Sequence, residues 1–143
     1  MEAQTVELLK ECNSGCKMAL NSIHQVMEYA EDEKLLDLLR AYNEKHEVIE
    51  DDISKQLAQL GKAEEEPGLM AAAMSWISTE MKMLMREDST QIAKIIMDGC
   101  NMGIQSVSEY VNKNKLASDD SIRLAKNLIK TEEDLMEEMK KFL

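Results

Sequence analysis

The 143-residue chain carries 28 acidic against 17 basic side chains, a formal charge of −11, which argues against nucleic-acid binding because no basic patch offsets the repulsion of phosphates. With 44% hydrophobic and 31% charged residues, five glycines and one proline, it has the composition of one all-helical domain that can bury a core without disulfides. The start Met1-Glu2-Ala3-Gln4 lacks the character of a secretion signal and no stretch reaches membrane-spanning length, so a cytoplasmic protein whose three cysteines are free thiols or metal ligands is expected.

Over residues 5–30, Leu9, Asn13, Cys16, Leu20, Ile23, Met27 and Ala30 recur in alternating steps of four and three, one face of a long helix interrupted by Asn13 and Cys16. Asp32 stands where an N-cap is needed for a second helix, whose face reads Leu35, Leu39, Tyr42, His46, Ile49, Ile53, Leu57 and Leu60. Gly61 ends that helix, and an acidic linker with Pro67 follows. Over residues 70–85, Met70, Met74, Ile77, Met81 and Leu84 share one side, which predicts a crossover helix anchored by Trp76, its methionines filling an irregular crevice. Asp88 and Gln91 read as a capping-box start for the third long helix, with a stripe of Ala93, Met97, Cys100, Ile104, Val107 and Val111. Ser118, Asp119 and Asp120 open the last helix, which presents Ala125, Leu128, Glu132, Leu135, Met139 and Leu143. The single domain 1–143 thus divides into a helix pair at 4–61, a linker and crossover helix at 62–87, and a second pair at 88–143.

The two pairs repeat each other. Gly15-Cys16-Lys17-Met18 returns 84 positions later as Gly99-Cys100-Asn101-Met102. In the same alignment Ser22 meets Ser106, and Leu20, Ile23 and Met27 meet Ile104, Val107 and Val111. Two repeated helix pairs bury their stripes by stacking into an antiparallel four-helix bundle with internal two-fold symmetry.

Residues equidistant from a shared turn face each other on antiparallel helices, which sets His46 level with Cys16 and Glu132 level with Cys100. One side chain from each helix then meets at mid-height. Two thiolates, an imidazole and a carboxylate make a tetrahedral donor set suited to zinc or iron. The same residues also read as ordinary core cysteines, a hydrogen-bonded core histidine and a glutamate leaning out to water. Cys12 and Cys16, one turn apart, offer a redox pair or, with Met18 and Met102, a Cu(I) grip, against the simpler reading of Cys12 as a small residue at the edge of the stripe. His24 falls beside the stripe on the surface side, Tyr42 reads as core packing, and Glu47, Glu50, Asp51 and Asp52 read as a solvated face from which Glu47 or Glu50 would have to turn inward to ligate.

On the Gly-Cys repeats, on Leu60-Gly61 with its acidic linker and Pro67, and on the Trp76-bearing segment, the chain resembles the ferritin-like superfamily. It is especially similar to a small bacterial family of uncharacterised four-helix proteins distantly related to rubrerythrin, which tends to carry Gly-Glu where this chain has Gly-Cys. The resemblance implies two helix pairs joined by a crossover helix and, in di-iron members, a Glu on two helices and Glu-x-x-His on the other two. Here the lone Glu positions fall on Cys16 and Cys100. The second-helix motif falls on Asn43-Glu44-Lys45-His46 and the fourth-helix motif on Ile129-Lys130-Thr131-Glu132. That set lacks the bridging acids a di-iron oxygen-activating centre needs. With no nucleophile beside a base, no glycine-rich phosphate loop and no basic groove, no enzyme reaction is expected. The functional readings are a modified mid-bundle site for one zinc or iron ion, a metal-free structural or interaction module, and a thiol redox or Cu(I)-binding protein. The partners expected are the metal ion and a second copy of the chain through the methionine-rich segment.

Overall fold

A computed structural model describes residues 2–62, 81–82 and 88–143. Four long helices, α1 (Glu2–Met27), α2 (Glu33–Gln59), α3 (Ser89–Lys113) and α4 (Asp119–Met139), are followed by a short 3-10 turn at Lys140–Phe142. No strand occurs among the described residues.

The helix boundaries follow from local chemistry. Asp32 has an extended backbone, and its Oδ1 accepts hydrogen bonds from the Lys34 and Leu35 amides at 2.8 and 3.1 Å, satisfying two of the donors that a helix start leaves open. Replacing Asp32 by Ala should lower stability by about 1 kcal/mol, measurable by urea denaturation. Asp88 receives the Thr90 and Gln91 amides at 3.0 and 3.3 Å, and Ser118 receives the Ser121 amide at 3.2 Å. At the end of α2 the Lys62 amide reaches the Leu57 carbonyl at 2.9 Å and the Gly61 amide reaches Ala58 at 3.0 Å. That closing pattern requires the left-handed backbone of Gly61, whose φ is 71°.

Packing sets every neighbouring pair antiparallel. The α1–α2 and α3–α4 pairs are joined by short turns. Between the pairs, the Leu116 amide donates to Gln4 Oε1 at 2.9 Å, the Ser118 amide donates to Thr5 Oγ1 at 2.8 Å, and the Ser106 hydroxyl donates to Glu11. The start of α1 therefore lies against the end of α3. On the α2–α4 side, Ile53 and Leu57 cluster with Leu124 and Ala125 at one end, and Leu35 and Leu39 cluster with Leu135 and Met139 at the other. The Thr90 hydroxyl donates to the Phe142 carbonyl at 2.9 Å, tying the start of α3 to the end of α4. Consequently α2 ends at one end of the bundle and α3 begins at the opposite end. The expected crossover helix at 70–85 lies outside the described residues except for Met81 and Lys82, which are helical, with Met81 packed against the core. Pro67 and Trp76 lie outside them altogether.

Two buried faces differ from the stripes expected. On α1, Leu8, Cys12 and Val26 are fully buried while Leu20 and Met27 are half-buried. On α3, Ile92, Ile95 and Ile96 are buried while Met97, Ile104 and Val111 are half-buried. Both helices are turned toward each other relative to the expected stripes. A bundle helix contacts two neighbours, and the α1–α3 seam, formed between segments far apart in sequence, claims residues that a stripe aimed at one partner omits.

Candidate metal centre

His46 on α2 is fully buried, and Glu132 on α4 is 5% exposed. The His46 Nδ1 lies 2.6 Å from the Tyr42 carbonyl, and Nε2 contacts Glu132 Oε1. A carbonyl only accepts, so Nδ1 carries a hydrogen and donates it to Tyr42. One further proton is then held between Nε2 and Glu132. Burial alone would lower the His46 pKa, but the hydrogen bond and charge of Glu132, with the Tyr42 carbonyl, raise it above its ordinary value.

Cys100 on α3 joins this pair. Burial first, then the charge of Glu132 and hydrogen bonding to it, push its pKa far above the usual thiol range. Cys16 on α1 is also pushed up, first by burial and then by Cys12, Glu132 and Glu50. Cys12 rises to about 12 through burial and Glu11. All three thiols are free and buried, and they stay protonated at neutral pH, which makes them poor nucleophiles.

The four residues named from the sequence come from four helices. Glu132 contacts His46 and borders the same cavity as Cys100, while Cys16 packs with Cys12 in the other half of the core and meets Glu132 through its field. Among the described residues, no three His, Cys, Asp or Glu side chains stand as a preformed group that could hold a metal ion. Beside them, Tyr42 is buried with the Lys45 ammonium 4.4 Å from its ring centroid, His24 is exposed, and Glu47, Asp51 and Asp52 are exposed. Glu50 is half-buried. Asn43 donates through Nδ2 to Glu47 at 2.8 Å.

Sequence reasoning missed the role of Gly103. A Cβ built there would lie 3.7 Å from Glu132 Oε2, so the bare backbone of α3 passes directly over the carboxylate. Gly103 also lines a cavity of about 40 Å³ between α1 and α3, together with Met18, Met102, Cys100 and Glu132. The repeat signalled only the cavity's methionines, two positions after each of Cys16 and Cys100, and it pairs Gly103 with Ala19.

The fold has a solved counterpart. A DUF305 fragment from Deinococcus radiodurans is similar over 96% of this chain and 93% of its own, with a TM-score of 0.69 at 14% sequence identity. This likeness concerns the all-helical fold alone. No family model and no curated protein matches the chain. No described helix is long and apolar enough to cross a membrane.

The raised His46 pKa fixes the sign of a pH effect. A group whose folded pKa exceeds its unfolded value of about 6.5 contributes stability that is complete below that value and is lost as pH rises through the folded pKa. Urea denaturation of metal-free protein should therefore give lower stability as pH increases above about 6.5. His46→Gln should remove that dependence.

Proposed function

We propose that this bundle has the ferritin-like arrangement and holds one zinc or iron ion at Cys16, His46, Cys100 and Glu132. The arrangement is supported by the opposed ends at which α2 stops and α3 starts, which suit a crossover between two helix pairs. The site rests on one observation, that Glu132 contacts His46 in the core and borders one cavity with Cys100. The donor set suits zinc, which accepts thiolate, imidazole and carboxylate together. Loading requires the Glu132–His46 bond to open and thiol protons to leave, so affinity should fall as the solution is made more acidic.

Elemental analysis of protein purified without chelator or affinity-tag metal tests this reading. About one zinc or iron per chain is expected, with stoichiometric binding lost in Cys100→Ser. Unchanged binding in that variant would remove the model. A second reading is favoured by the pairing of His46 with Glu132, which leaves both buried groups satisfied without an ion. In this metal-free module, neither Zn(II) nor Fe(II) binds and all three thiols count as free.

A further inference from the structure

The repeated Gly-Cys-x-Met motif meets itself across the cavity between α1 and α3. Gly15 and Met18 come from the first copy, and Gly99, Cys100 and Met102 come from the second. The register that pairs Glu11 with Ser106 brings Met18, two turns further along α1, level with Gly99 and Cys100. Cys16 does not line this cavity. Three sulfur-bearing side chains from two helices thus border one small space.

Size and polarity narrow what that space takes. At about 40 Å³ it holds roughly three water-sized bodies, since one needs about 10–15 Å³. An organic ligand needs about 300–1,000 Å³. A single ion fits. Two thioethers and a thiol are soft donors, the set that selects Cu(I) over magnesium, calcium or manganese. A monovalent ion replacing the Cys100 proton leaves the charge of the cavity, which Glu132 also borders, unchanged, whereas a divalent ion adds one buried positive charge.

We propose that Met18, Cys100 and Met102 form a site for one Cu(I) ion in the cavity between α1 and α3. On binding, the Cys100 S–H bond is replaced by a Cu–S bond, the proton passes to solvent, and copper remains monovalent. The site is separate from the zinc or iron reading and does not depend on it, although the two compete for Cys100.

The test is an anaerobic competition titration of metal-free protein with Cu(I) presented as its bicinchoninate complex. Wild type should take up one Cu(I) ion per chain. Met18→Leu with Met102→Leu keeps side-chain volume and should weaken binding by at least the roughly 100-fold that loss of an outer contact alone can cost. Met102 is half exposed, so Met102→Leu by itself provides a weakened variant with the core untouched. Met97→Leu, at a half-buried methionine outside the cavity, should bind Cu(I) as wild type does. Undiminished Cu(I) affinity in the Met18 and Met102 variants, loss of affinity in Met97→Leu, or no Cu(I) uptake by wild type would overturn the proposal.

Discussion

His46→Ala is expected to lower the stability of the metal-free protein by about 3–5 kcal/mol, because it leaves Glu132 buried without its partner. Glu132 is 5% exposed and enclosed by α3 at Gly103, so water does not readily replace the imidazole. The variant also removes the side chain that donates to the Tyr42 carbonyl. Removing both members is a different experiment. His46→Leu with Glu132→Leu replaces the pair by apolar groups and should recover most of the loss, since buried ion pairs often contribute little over a well-packed apolar substitute. Urea denaturation of the single and double variants measures both values. A His46→Ala loss below about 1 kcal/mol would show that Glu132 escapes to solvent.

Leu128→Ala should cost about 2–5 kcal/mol. Leu128 is 2% exposed and packs in the cluster with Leu8, Cys12 and Ile53. Its Cδ2 would lie 3.8 Å from a Cβ at Gly15. The facing glycine has no side chain to move into the gap, so the cavity persists and the cost should fall in the upper part of that range. Leu116→Ala is the control. Leu116 is 65% exposed, and its truncation should change stability by no more than about 0.5 kcal/mol. Thermal or urea unfolding of the two variants side by side reads the difference.

The sequence alone determined the parts of this protein that local chemistry controls. Asp32, Asp88 and Ser118 mark helix starts because their side chains can reach amides two or three residues ahead, and Gly61 marks an end because its backbone turns left-handed. The apolar spacing was enough to assign four long helices. Tertiary structure decided how those helices rotate and which side chains meet. The α1–α3 seam pairs Glu11 with Ser106 and Gln4 with Leu116, contacts between residues about a hundred positions apart that no local period encodes. That seam brings Ile96 beside Ile23, and Leu8, Val26 and Ile95 are buried in place of part of the expected stripes. It also turns Cys100 toward Glu132 and the methionine-lined cavity while Cys16 packs with Cys12. Two cysteines equivalent in the repeat thereby acquire different surroundings, because four helices share one core and each position is settled by the neighbours packed against it.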